Sequence, residues 1–109
     1  MKVVFHINES EKWSTVLKNI MNLLEEGKGL VTSIEVVANG EAILAYTETN
    51  NLIPMHELVE KGIRFSSCQK AMGAQHITED MLHPFIKIVP SGILRLVECQ
   101  TADYAYIKP

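Results

Sequence analysis

The side chain best suited to nucleophilic chemistry is Cys68, in the segment "RFSSCQKAM" at residues 64–72. A cysteine reacts as the thiolate, which nearby positive charge and the free N–H groups at a helix start both favour. Residues 61–78 contain three basic side chains and no acidic one, although the chain has a net charge of -3. A free cysteine is equally often a small buried residue. From its position alone, Cys68 could be either a reactive thiol or only a packed core residue.

The second cysteine, Cys99, lies on the apolar stripe of "ILRLVECQ", one helical turn from Leu96. This spacing favours packing in the core. The two cysteines are far apart in sequence and form no CxxC motif, and no histidines stand at metal-ligand spacing beside them. The sequence therefore predicts neither a disulfide framework nor a metal site.

The histidines give weaker signals. His6 ends an apolar run and could reach a site there, but a hydrogen-bonded structural histidine explains it equally well. His56, His76 and His83 lie in helical or loop stretches and are interpreted as surface or capping residues. Neither GxGxxG nor GxxxxGK[ST] occurs, so nucleotide binding has no support. A hydrolase has the least support, because no Ser/His/Asp order or carboxylate pair stands out.

Short apolar runs rich in β-branched residues alternate with segments of helical spacing. The predicted strands cover residues 2–7, 32–40, 63–67, 86–89 and 104–108. The clearest helix has apolar residues at helical spacing from Trp13 to Leu24, with Asn8 and Glu11 as its cap and a stop at residues 26–29. Further helices are predicted at 41–48, from Pro54 to Gly62, from Cys68 with a break near Gly73, from Thr78 as cap to Pro84, and at 93–100.

This alternation predicts right-handed βαβ units in one domain spanning residues 1–109. The expected fold class is α/β, an open sandwich with a mostly parallel sheet covered on both faces. Ligands of such sheets gather at the carboxyl ends of the strands. Those ends are predicted at residues 6–8, 38–40, 67–70 and 90–92, and Cys68 lies at the third. "PSG" at 90–92 could bind a small anion at a helix start, or it could be a plain turn.

Composition excludes several classes of function. The chain is 47% hydrophobic and 21% charged, as expected of a globular protein. Its net negative charge argues against direct binding of nucleic acid and against a polybasic membrane anchor. No apolar run approaches the length of a membrane span, and the apolar N-terminus is too short for a signal peptide. The expected compartment is the cytoplasm, with no contact with membrane.

Four segments carry the most distinctive pattern of the chain. They are "MKVVFHINESEKWSTVLKNIMNLL" (1–24), "IEVVANGEAI" (34–43), "LVEKGIRFSSCQKAM" (58–72) and "IVPSGILRLVECQTADYAYIKP" (88–109). Together they resemble the DsrE/DsrF-like family of small proteins related to sulfur-relay subunits. The resemblance implies a three-layer α/β/α sandwich around a parallel sheet of about five strands. It also implies assembly as a homo-oligomer, a trimer or hexamer, with the site near a subunit interface.

The relay members of that family use one cysteine just after the third strand. This cysteine accepts a persulfide sulfur from a donor protein and hands it to an acceptor protein, without metal or organic cofactor. Cys68 matches that position, and two turns of the chain match family turns near the same pocket. The residues expected to line it are His6, Asn39, Gly40, Gln69, Lys70, Pro90, Ser91 and Gly92.

Two functions therefore stand open. In the first, Cys68 carries a persulfide in a sulfur relay. In the second, the protein is a non-catalytic oligomeric binding or scaffold module, and Cys68 only lines a small-ligand pocket. The chain is shorter than the relay subunits, and some family members lack the cysteine and serve as scaffold subunits. An oligomer is expected in either case, because 41–48 and 93–100 have more apolar side chains than one sheet face needs.

Overall fold

Five parallel strands form a single sheet in a computed structural model that describes residues 1–109. Their order across the sheet is β4-β3-β2-β1-β5, and every neighbouring pair is parallel. The predicted α/β class and the parallel sheet of five strands are confirmed. The strands are β1 (Lys2–Ile7), β2 (Ser33–Ala38), β3 (Arg64–Cys68), β4 (Lys87–Val89) and β5 (Tyr104–Ile107).

Helices connect each strand to the next. Between β1 and β4 the chain adds each new strand on the same side of the last, so right-handed crossovers place the connecting helices on one face. None of the helices is both long and apolar enough to cross a membrane. The α-helices are α1 (Trp13–Glu26), α2 (Thr49–Glu60), α3 (Gln69–Ala74) and α4 (Gly92–Thr101), and short 3₁₀ helices cover Ser10–Lys12, Gly40–Thr47 and Glu79–Met81.

The face that carries α1, α2 and α3 holds the main core, a cluster of 20 buried residues. Alternate residues of each strand point into this core, as the pleat requires. At its centre the rings of Trp13, Tyr46 and Phe65 pack with centroids 5.4–6.2 Å apart. The Trp13 indole donates a hydrogen bond to the Ala42 carbonyl at 2.8 Å, which ties α1 to the 3₁₀ helix before α2.

Only α4 covers the opposite face. The chain returns from β4 at one edge to β5 at the other, and a right-handed crossover in that direction requires the helix to lie behind the sheet. The apolar core there is small, with four buried members and the partly buried Tyr104. Those four residues are Val4, Val37, Leu96 and Cys99.

A buried carboxylate anchors α4 to the sheet. Glu35 of β2 accepts two hydrogen bonds from Arg95 of α4, both at 2.8 Å, and one from the Ser66 hydroxyl at 3.1 Å. Arg64 of β3 adds an ion pair at 3.4 Å. Burial alone would raise the pKa of Glu35, but the bonds and charge of Arg95, with Ser66 and Arg64, lower it below its usual value. Glu35 is therefore ionised at neutral pH.

The start of two helices differs from the prediction. α1 begins at Trp13 after a 3₁₀ turn, and no side chain caps it. Asn8 instead accepts a hydrogen bond from Lys108 at 3.3 Å. α2 begins at Thr49, so Pro54 lies inside the helix and does not open it. Proline is favoured in the first turn, but here the preceding polar residues are helical as well.

Two further segments also depart from expectation. Thr78 precedes a 3₁₀ turn of three residues, and its hydroxyl donates to Asp80 instead of capping a helix that runs to Pro84. Residues 41–48 do form a helix, of the 3₁₀ type. Four of its apolar residues (Ala42, Ile43, Ala45 and Tyr46) are buried in the main core and Leu44 is partly exposed, so this segment supplies little of the surplus apolar surface expected of it.

Candidate functional site

Cys68 is the last residue of β3, at the carboxyl end where the sequence predicts it. Its side chain is buried, with 7% of the residue exposed. The first helical residue after it is Gln69, so Cys68 precedes the helix and does not occupy its first position. Since α3 has only six residues, few peptide dipoles align behind the thiol. The helix start is thus a weaker source of thiolate stabilisation than the sequence suggested.

Gly92 brings α4 against this cysteine. A Cβ atom built at residue 92 would lie 3.2 Å from the Cβ of Cys68 and 3.3 Å from the Cβ of Asn39. These distances are shorter than ordinary van der Waals contact, so glycine allows the first turn of α4 to pack against both residues. Cys68 and Asn39 therefore flank one point of the α4 backbone, at the carboxyl ends of neighbouring strands β3 and β2.

His6 joins the same edge from β1. Its residue is 8% exposed, and both ring nitrogens have partners. Nε2 lies 3.0 Å from Asn39 Oδ1, and Nδ1 lies 2.6 Å from the hydroxyl of Tyr106 on β5. Burial lowers the pKa of His6 below 6.5, the Asn39 hydrogen bond partly opposes this, and the charge of Lys108 adds to the lowering. His6 is accordingly neutral at pH 7.

Other residues predicted for the pocket have varied surroundings. Gln69 and Lys70 are exposed on the first turn of α3, and Pro90 is exposed before α4. The Ser91 hydroxyl accepts a hydrogen bond from the Leu94 N–H at 3.2 Å, so Ser91 caps α4. Gly40 has a φ of 55° at the turn after β2. The structure brings together His6, Asn39, Cys68 and Gly92.

No cavity of the single chain is lined by any of these residues. The largest cavity lies at the C-terminal half of α1, next to Lys61. A smaller one lies between α1 and Ile107, and the third lies beside the start of β2. The carboxyl edge around Cys68 is therefore a shallow surface in the isolated chain.

Cys99 contrasts with Cys68. It is 1% exposed and packs with Leu96 against the sheet, which confirms the predicted core position. Burial raises the pKa of Cys99, and the negative charge of Glu35 raises it further; Arg95 and Arg64 oppose this only in part. Cys99 therefore remains a protonated thiol at neutral pH.

The remaining histidines are partly as expected. His56 is exposed and lies 3.3 Å from Glu60, and His76 is exposed with a φ of 58°. The prediction for His83 was wrong, because this residue is buried. Its backbone N–H donates to the Tyr46 carbonyl at 2.9 Å, which holds the chain between α3 and β4 against the core.

Tyr106 was not identified from sequence as a site residue. The pattern Tyr-Ala-Tyr at 104–106 places both tyrosines on one face of β5, and this was the available signal. Its partner could not be found in this way, because β5 pairs with β1 at the opposite end of the chain.

The fold and the position of the cysteine define a class of protein: a doubly wound parallel sheet with a lone cysteine closing its third strand. The chain matches the model of the DsrE/DsrF-like family over residues 1–109 and belongs to that family. The family is associated in general with sulfur relay.

Two solved structures share the fold. A protein of unknown function, MTH1491 from Methanobacterium thermoautotrophicum, is 28% identical, with a TM-score of 0.90 over 99% of this chain and 98% of that one. A conserved protein of unknown function, BT1422 from Bacteroides thetaiotaomicron, is 12% identical, with a TM-score of 0.78 over 99% of this chain and 94% of that one. No curated protein matches the chain in sequence. These likenesses support the fold and leave the reaction to be argued from the site.

Proposed function

We propose that the protein is a sulfur-relay carrier that holds a persulfide on Cys68. The Cys68 thiolate attacks the terminal sulfur of a donor persulfide, R–S–SH. The donor S–S bond breaks, R–S⁻ leaves, and Cys68 holds –S–SH. An acceptor thiolate then attacks that terminal sulfur, and the Cys68 thiolate leaves. One sulfane sulfur moves in each step without net oxidation, so neither step needs a cofactor.

The position of Cys68 is the observation that carries this proposal. In a chain of this family, the thiol ends β3 at the edge where parallel sheets bind ligands. The Cβ atoms of Asn39 and Cys68 flank the same point of α4, and Gly92 allows the α4 backbone to approach both residues. Cys99 has no such position, since it is enclosed in the small core beneath α4.

Mass spectrometry tests the carrier role directly. We expect the protein incubated with a low-molecular-weight persulfide to gain one sulfur on Cys68. Cys68→Ser is expected to gain none, whereas the matched control Cys99→Ala gains as much as the unaltered protein. Equal labelling of the unaltered protein and Cys68→Ser would refute a persulfide on this residue.

We further propose that the protein acts as a homo-oligomer, a trimer or hexamer, that meets separate donor and acceptor proteins. Three apolar side chains on the outer side of α4, Ile93, Leu94 and Val97, are each more than half exposed. Ile93 and Leu94 follow directly on Gly92, which packs against Cys68, so a second copy seated there would also border Cys68. Such a copy would turn the shallow edge into the pocket that the isolated chain lacks.

Light scattering at micromolar concentration is expected to give the mass of an oligomer, and Val97→Asp to lower it. The exposed Lys18→Asp on α1 is the control and leaves the mass unchanged. A monomer for the unaltered protein would exclude an oligomeric site.

The alternative is a binding or scaffold module in which Cys68 only lines the surface. The low exposure of Cys68 and the lack of an adjoining cavity favour it. Alkylation by iodoacetamide against pH separates the two functions. A carrier thiol reacts rapidly at neutral pH, whereas a lining thiol reacts only as the solution becomes alkaline.

A further inference from the structure

We infer that His6 is a positioning residue that orients the Asn39 amide so that its N–H donors face a sulfur anion at Cys68. The inference rests on the proposed function for its purpose, since the sulfur on Cys68 is the anion in question. A residue that only packed in the core would not control the orientation of the Asn39 amide. Tyr106 completes the arrangement from the neighbouring strand.

The hydrogen bonds of His6 permit one assignment of its proton. Asn39 Oδ1 can only accept, so the Nε2 atom 3.0 Å from it must carry hydrogen. In a neutral ring Nδ1 is then an acceptor, and it receives the Tyr106 hydroxyl hydrogen at 2.6 Å. The chain of donation therefore runs from Tyr106 through His6 to Asn39. Because His6 is enclosed between β2 and β5, its ring has little freedom to turn.

The bond from His6 also settles which end of the Asn39 amide is free. Oδ1 is engaged by the histidine, and Nδ2 has no acceptor within the protein. Nδ2 therefore keeps two hydrogens for a ligand. The Asn39 Cβ and the Cys68 Cβ flank the same point of Gly92, so the two side chains start close together. The proposed role of His6 requires that this free donor turn toward the thiol. Had Oδ1 been the free end, it would repel a thiolate or persulfide anion.

A hydrogen bond to an anion is worth more than one between neutral groups, because the charge strengthens it. An Asn39 amide held by His6 would thus stabilise both the attacking thiolate and the persulfide that replaces it. Without His6 the amide is free to rotate, and its carbonyl oxygen can turn toward the sulfur. His6 acts through Asn39 and does not touch the reacting atoms.

The experiment measures the rate of alkylation of Cys68 by iodoacetamide at pH 7, in a Cys99→Ala background. We expect His6→Leu to slow the reaction about tenfold, the loss of one charge-assisted hydrogen bond. His6→Gln, whose amide N–H replaces Nε2–H, is expected to recover most of the rate. In an Asn39→Ala protein, adding His6→Leu is expected to cause no further slowing.

Asn39→Asp supplies a second measurement should His6→Leu fail to fold. It keeps an acceptor for His6 but replaces the free N–H donors by a carboxylate oxygen, so the rate is expected to fall at least about tenfold. An unchanged rate for Asn39→Asp would overturn the inference. Equal slowing by His6→Leu with and without Asn39 would overturn it as well.

The positioning role of His6 and the sulfur-relay function of Cys68 can each be refuted without refuting the other. Alkylation depends on the thiolate and on its access to the reagent, whereas sulfur loading also needs transfer from a persulfide. A protein that gains no sulfur but shows the coupling of His6 with Asn39 keeps the positioning role and loses the relay. A protein that loads sulfur without that coupling keeps the relay and loses the role of His6.

Discussion

The two faces of the sheet are built in different ways. One face is covered by three α-helices and contains a core of 20 buried residues centred on packed aromatic rings. The other is covered by α4 alone, with four buried apolar residues beside a buried carboxylate and its arginines. The crossover from β4 to β5 is the only one that reaches this second face, which explains the difference.

The difference assigns separate tasks to the two faces. Apolar burial dominates folding energy, so the face covered by α1, α2 and α3, here called the thick face, supplies most of the stability. The face covered by α4, here called the thin face, holds the buried polar pairs: Glu35 with Arg95, and His6 with Tyr106. Cys68 lies at the end where α4 begins, so the site depends on how a single helix is seated.

Removing apolar volume from the two faces should have unequal effects. Leu58→Ala, in the core of 20 residues, is expected to lower the free energy of unfolding by about 4 kcal/mol. Leu96→Ala, the matched change under α4, is expected to cost about 2 kcal/mol, because the thin core lies near solvent and can relax. Urea denaturation of both variants measures this, and equal losses would contradict the division of stability.

The carboxylate under α4 provides the next largest effect. Glu35→Gln leaves Arg95 and Arg64 without their counter-charge and is expected to destabilise the protein by about 2 kcal/mol. The folded-state pKa of Glu35 is lowered, so its contribution is present above pH 4.5 and is lost as pH falls through the lower folded value. Urea denaturation at pH 7 and at pH 3 should therefore show a gap between the two proteins that narrows in acid. A gap of constant size would mean that Glu35 acts through packing and not through charge.

The smallest effect concerns His6. Its folded-state pKa lies below 6.5, so the unfolded chain binds the proton first as the solution is acidified. The stability linked to neutral His6 is complete above pH 6.5 and is expected to decline as pH falls toward the folded-state pKa. His6→Gln should remove this part of the decline between pH 6.5 and 5, measured by thermal melting. His56→Gln, an exposed histidine, serves as the control and should leave the decline in place.

Sequence patterns were enough to predict the succession of strands and helices along the chain. They also predicted the carboxyl end of the strand at which Cys68 lies. The apolar stripe from Trp13 to Leu24 is a local signal, and the β-branched runs are as well. The start of α2 was misplaced because proline at 54 has the features of a helix opening, while Thr49, Asn50 and Asn51 form helix poorly in isolation. Packing against the core decides that boundary.

The polar contacts of the thin face could not be predicted from local sequence patterns. Glu35 and Arg95 are 60 residues apart, and His6 and Tyr106 are 100 residues apart. Each pair depends on which strands become neighbours and on which side α4 crosses. Cys68 could be proposed from its own neighbours in sequence, whereas the surroundings that would tune it come from three other strands and one helix.

The pairing of β5 with β1 also has a consequence for the order of events in folding. Contacts of such large sequence separation close the longest loop in the chain. Because closing it has a large entropy cost, these contacts are expected to form late in folding. β5 is an edge strand of four residues held to one neighbour, so it is also expected to open more readily in the native state than the central strands. Amide hydrogens of β5 should exchange sooner than those of β2. Each such opening would withdraw the Tyr106 hydroxyl from His6, so brief fraying at one edge of the sheet would loosen the site while the main core stays folded.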